Sequence, residues 1–162
     1  MMKKYNKVYM RPSGMNMAEG NGKVWMALLH RNGICEIDIK TREAKLCKIF
    51  EEEPLDGEFL YCYVEKIGER LIFSPGLAEK IAIYDLRTET MMYIPLKNAD
   101  KYRELKFWNI IRYQSDVYFL AYTYPAIIKL NMESMEIGAH SPSLISFSNL
   151  HNRTWLVRSI GK

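Results

Sequence analysis

One short phrase returns along this chain at a nearly fixed interval, and that interval limits the architectures open to it. Asp38 and Asp85 lie 47 residues apart and Asp85 and Asn131 lie 46 apart, while Thr41, Thr88 and Ser134 keep the same spacing. The chemistry of the pair is local. An Asp or Asn leaving a strand accepts hydrogen bonds from the backbone N–H groups just ahead of it, and a Thr or Ser three positions on suits the turn that follows.

Each copy reads as strand, turn, strand, turn. The central strands run from Val24 to Leu29, Leu71 to Ser74 and Val117 to Tyr122. Their partners run from Ile34 to Ile39, Ile81 to Leu86 and Ile127 to Leu130, each followed by its anchor turn. A further outer strand follows at Lys45 to Phe50 and Met91 to Leu96, with a weaker one near Ile137; inner strands precede at Phe59 to Val64 and Phe107 to Arg112. Four strands in a period of this size match a propeller blade, whereas the segments are too short and too β-branched for a solenoid of helix pairs. The expected fold is therefore all-β, a partial β-propeller of about three and a half four-stranded antiparallel blades. It forms a single domain over 1–162, with blades at approximately 8–50, 58–96 and 106–138 and a partial blade at 143–160. The nearly unbroken apolar second strands predict cover on both faces, and the equivalent positions Trp25, Ile72, Tyr118 and Trp155 are expected in the core.

The segment Ile83-Tyr84-Asp85-Leu86-Arg87-Thr88-Glu89-Thr90 resembles the strand-turn phrase of kelch-type and WD-type propeller repeats. Phrases such as Pro75-Gly76-Leu77-Ala78 and Tyr124-Pro125-Ala126-Ile127-Ile128 make the chain similar to kelch-like propellers of unassigned function from gut Firmicutes. The resemblance implies a propeller fold and brings no catalytic residues with it. Three and a fraction blades leave a ring unfinished. Closure within one chain through a strand at Lys4 to Met10, a homodimer that joins the open ends, and a remnant of a longer propeller are the alternatives, with the homodimer favoured.

Charge and cysteine usage exclude several function classes. The 23 basic and 19 acidic residues interleave, with no basic stripe of the kind that follows a phosphate backbone, so no nucleic-acid partner is expected. Cys35, Cys47 and Cys62 show no CxxC or Cys/His spacing, which predicts reduced thiols and no metal site. No signal-peptide pattern follows the basic N-terminus and no 18-residue apolar run occurs, so a cytoplasmic location without membrane association is expected. Hydrolase, metalloprotease and nucleotide motifs are absent, so no cofactor is predicted and a noncatalytic role is favoured over an enzymatic one.

Function is then expected on the loops. The turns between second and third strands bring His30, Arg31, Glu79, Lys80, Tyr122 and Tyr124 to one end as candidate ligand-binding residues. The acidic loop Glu51 to Glu58 and the mainly basic loop Lys97 to Glu104 are predicted to share that end. The leading expectation is a noncatalytic scaffold that presents this face to a protein or glycan. The alternative is a glycan-active propeller enzyme, hydrolase or lyase, with Glu79 and Asp100 as acid and base.

Overall fold

The computed structural model describes residues 14–140. They form three separate four-stranded antiparallel sheets, each with its strands in chain order. The first holds β1 (Ala18–Gly20), β2 (Lys23–Ala27), β3 (Ile34–Asp38) and β4 (Ala44–Lys48). The central sheet holds β5 (Tyr61–Ile67), β6 (Arg70–Pro75), β7 (Lys80–Asp85) and β8 (Thr90–Pro95). The third holds β9 (Phe107–Tyr113), β10 (Asp116–Ala121), β11 (Ile127–Asn131) and β12 (Ile137–His140).

The recurring anchors do what their chemistry dictates. Asp38 Oδ1 accepts the N–H groups of Lys40 and Thr41 at 2.9 and 2.8 Å, and Asp85 Oδ1 accepts those of Arg87 and Thr88 at 3.0 Å. Asn131 Oδ1 takes Glu133 and Ser134 at 3.0 and 2.8 Å. The next residue after each Thr or Ser is left-handed, Arg42, Glu89 and Met135 having φ of 61°, 57° and 59°. Its N–H closes on the anchor's carbonyl at 2.8 to 2.9 Å. One more bond recurs: Ile39, Leu86 and Met132 donate their N–H groups to the carbonyls of Gly22, Glu69 and Ser115. Those three carbonyls belong to the tight turns joining the first two strands of each sheet, so both turns of a sheet are tied together at one end of the molecule.

Packing distinguishes the three sheets. On one face of the central sheet Leu71, Phe73, Ala82 and Tyr84 join Trp25, Ala27 and Ile34 of the first sheet. On the other face Ile72, Ile81 and Ile83 join Val117, Phe119, Ile128 and Leu130 of the third. Full burial of an aliphatic or aromatic side chain contributes about 1.5–3 kcal/mol each, so these two seams carry most of the apolar stabilisation. The outer face of the third sheet is different. Tyr118 and Leu120 are only half-buried there, and Ile111 and Tyr113 are 43% and 63% exposed. Of the expected core stripe, Trp25 and Ile72 are buried, Tyr118 is not, and Trp155 lies outside the described residues.

The all-β expectation holds, but the partial β-propeller and the kelch-like or WD-like architecture inferred from the resemblance are corrected. The described residues make three open sheets, none closed or curled on itself, and no ring is formed. The physical reason is that each hydrogen-bonded ladder ends at its own first and last strand; the sheets meet through side chains and loop contacts alone. The strand at Lys4 to Met10 and the partial unit at 143–160 lie outside the described residues. No helix among the described residues is long and apolar enough to cross a membrane.

Candidate functional site

Antiparallel order places the connections β2–β3, β6–β7 and β10–β11 at the end opposite the anchor turns, together with the two chain segments that lead from sheet to sheet. Backbone hydrogen bonds brace this loop end. Phe59 donates its N–H to the Leu29 carbonyl at 2.6 Å, and the Leu60 carbonyl accepts Gly76 and Ala78 at 2.8 and 3.2 Å. One unit further on the Lys106 carbonyl accepts Tyr122 and Tyr124 at 2.9 and 3.2 Å, and the Lys106 N–H donates to Gly76. Gly76 is required by this close approach: a Cβ there would lie 2.3 Å from the Phe59 carbonyl oxygen and 2.6 Å from Cys62 Sγ. Asn32, buried on the β2–β3 connection, holds the acidic loop by donating to the carbonyls of Phe50, Glu53 and Pro54 and accepting the Phe50 N–H.

The six candidate residues separate into three environments. His30 and Arg31 are exposed; the His30 ring stands edge-on to Phe59 at 5.2 Å, with Nδ1 3.8 Å from Glu58. Lys80 pairs with Glu52 at 2.5 Å and lies 5.8 Å over the Tyr93 ring, while Glu79 beside it faces solvent. Tyr122 is 65% exposed and stands 6.4 Å from the Trp108 ring at 32°, Trp108 itself being 63% exposed. Tyr124 is buried against Phe107 and Tyr102, and its hydroxyl donates to the Lys97 carbonyl at 2.8 Å. Its hydroxyl braces the loop end. Asp100 is exposed within a single 3-10 turn, Ala99–Lys101.

Three residues of this end escape a motif search. Lys106 is 1% exposed, and its ammonium donates to the carbonyls of Leu77 at 2.9 Å and Gly76 at 3.5 Å. Burial lowers its pKa, with Glu79 and Glu53 opposing that effect. Glu53 accepts the Tyr61 hydroxyl at 3.1 Å, and desolvation raises the pKa of both groups. Trp108 occupies a bulge in β9, where the pairing with β10 shifts between Leu120 and Ala121. The interval offered a signal for two of them, since Leu60 and Cys62 stand 46 residues before Lys106 and Trp108 and are both buried. A cation in a core position and a large aromatic on a bulge are each departures from the period.

At the opposite end a cleft of about 330 Å³ opens between the first and central sheets. Glu36, mostly buried, sits in it with Oε1 2.8 Å from Lys23 Nζ and 3.1 Å from Lys45 Nζ, and with Oε2 accepting the Trp25 indole N–H at 3.1 Å. Burial pushes the Glu36 carboxyl up, but the bonds from Lys23, Lys45 and Trp25 outweigh it and hold the group below its ordinary value. Cys47 Sγ lies 3.8 Å from the Tyr84 hydroxyl on the same wall. Cys62, fully enclosed elsewhere, has its thiol pushed up to about 11 by desolvation. Among the described residues no three His, Cys, Asp or Glu side chains are grouped to hold a metal.

These features define an all-β chain of three stacked four-stranded sheets, with one braced loop end and one end of tied turns. No family model matches the chain, and no curated protein matches it. Among solved structures it is similar to the extracellular domain of BT4673 from B. thetaiotaomicron, with a TM-score of 0.57 and 18% identity over 77% of this chain. It spans only 16% of that domain's length. The computationally designed Ika4 protein matches with a TM-score of 0.58 and 9% identity, over 82% of this chain and 74% of its own. A chain of the nidogen/laminin complex matches at 0.52 and 8% identity, over 75% of this chain and 43% of its own. At these identities the likeness concerns the fold alone.

Proposed function

We propose that the chain is a noncatalytic binding scaffold whose loop end takes a protein segment or a glycan. One observation carries the reading: Trp108 and Tyr122 stand side by side, each more than 60% exposed, on backbone that Lys106 anchors. Large aromatics left in water on a rigid support are unusual on a monomer surface unless something covers them. Stiff rings lose little entropy when they are covered, which suits them to contact an apolar sugar face or an extended peptide.

The test is a binding screen against a glycan array and a peptide library, repeated with Trp108→Ala/Tyr122→Ala. Every ligand found is expected to lose at least tenfold in affinity in the double variant. Ligands bound equally by both proteins would place the function elsewhere. Two further expectations belong to the same proposal. A second copy seated on the outer face of the third sheet, where Ile111 and Tyr113 are exposed, is read out by solution mass, a single-chain mass at micromolar concentration being the contrary result. A cytoplasmic location is supported by the enclosed free thiols of Cys35 and Cys62 and is read out by cell fractionation.

A further inference from the structure

The two seams differ at equivalent positions. Between the central and third sheets the facing pair is Ile72 with Ile83, adjacent across β6 and β7 and both buried. The same two positions of the first sheet, 47 residues earlier, hold Trp25 with Glu36, paired across β2 and β3. One seam is closed by two isoleucines. The other carries a mostly buried carboxylate and a cleft of about 330 Å³, the lower end of the size range of small-molecule sites.

The charges in that cleft are divided between its two walls. On the first-sheet wall two ammonium groups, Lys23 and Lys45, share the single carboxylate of Glu36, which leaves one positive charge in excess and N–H donors beyond those spent on Glu36. Both lysines are reachable from solvent, with side chains 38% and 66% exposed, while Glu36 is held in place by the Trp25 indole. The facing wall carries the exposed carboxylates Glu69 and Glu89 from the turns of the central sheet, Glu69 also lying 4.0 Å from Lys66 Nζ. With Lys66 counted beside Glu69 the charges of the cleft sum to zero, so a simple anion meets no net attraction. A small molecule carrying both a carboxylate and an ammonium matches both walls.

We propose that this cleft is a binding site for a small zwitterion, a free α-amino acid, whose carboxylate docks on Lys23 and Lys45 and whose ammonium faces Glu69 and Glu89. Glu36 is the positioning residue: it holds the two lysines together and is itself fixed by Trp25. The site lies at the end of the molecule away from Trp108 and Tyr122, so it stands or falls independently of the loop-end reading.

The experiment follows the indole N–H resonance of Trp25 by NMR, assigned by elimination with Trp108→Phe and Trp155→Phe. The probes are L-alanine, N-acetyl-L-alanine, which lacks the ammonium, and L-alaninamide, which lacks the carboxylate. L-alanine is expected to shift the Trp25 resonance saturably at millimolar concentration. Each single-charge analogue should bind at least tenfold more weakly, and Lys45→Gln, at an exposed position, should weaken L-alanine at least tenfold while the rest of the spectrum is retained. No shift with L-alanine up to 50 mM (about 50 times a millimolar Kd, ample for saturation) overturns the proposal. Equal binding of the N-acetyl or amide form overturns it too, as does an undiminished response in Lys45→Gln.

Discussion

The central and third sheets are built on the same interval, with the same strand order and the same anchored turn, yet they are buried differently. Leu71 and Phe73 of β6 and their counterparts Val117 and Phe119 of β10 are all fully buried, because these positions in both sheets face a preceding sheet. The residues between them part company: Ile72 is fully buried and Tyr118 is not. Nothing in the backbone of either strand accounts for this. The central sheet has a neighbour on each side, whereas among the described residues the third has one, and a strand buried on both faces reads as an unbroken apolar run.

The comparison is most easily broken by truncation. Phe73→Ala should cost about 3–5 kcal/mol in urea unfolding, while Tyr118→Ala, at a half-buried position, should cost clearly less in the single chain; similar losses at the two sites would show that the second copy already covers the outer face of the third sheet. The loop end gives the next contrast. Gly76→Ala introduces a Cβ against the Phe59 carbonyl and Cys62 Sγ and should cost about 1–3 kcal/mol, the usual range for overpacking. Tyr122→Ala, at the equivalent place 46 residues on, removes an exposed ring and should leave stability unchanged within about 0.5 kcal/mol.

A subtler contrast sets Lys106 against its counterpart Leu60. Replacing a buried charge by an apolar side chain of similar length is commonly neutral or stabilising, so Lys106→Met should match or exceed the parent at neutral pH. The pH dependence carries the sign. Burial lowers the Lys106 pKa, so the folded state sheds its proton before the unfolded state does. The parent should therefore gain stability as pH rises from the lowered pKa toward the ordinary lysine value. The difference between parent and Lys106→Met should shrink over that window in paired urea titrations, and a constant difference would show that the ammonium is not desolvated.

The smallest effect lies in the turns. Backbone N–H groups, led by those of Thr41 and Thr88, hold the Asp38 and Asp85 carboxyls below the usual carboxylate range. Their contribution is present above the unfolded pKa and is lost as pH falls through the lowered folded value. Asn131 has no proton to gain. On acid titration the amide resonances of Thr41 and Thr88 should move and that of Ser134 should not, and a matching shift at Ser134 would break the equivalence of the three turns.

Much of this was open to inspection in one dimension. The anchors at 38, 85 and 131 marked every outer turn, and the alternation around them marked the strands, because side-chain to backbone bonds and strand periodicity act over a few residues. Tyr122 and Tyr124 show where that reach ends. They are two residues apart and chemically alike, but one faces water beside Trp108 and the other is enclosed with its hydroxyl on the Lys97 carbonyl. Which is which depends on where the segment before β9 lies, some twenty residues earlier in the chain.

Local chemistry was sufficient to specify four-strand units, their order and the turns that end them, since every bond involved joins residues close in the chain or on adjacent strands. The arrangement of whole sheets was beyond its reach: the stack of open sheets in place of a ring, the ammonium of Lys106 on two carbonyls, and the charged cleft beside Trp25. Burial and desolvation belong to two surfaces in contact, and the identity of the second surface is settled only when distant segments meet.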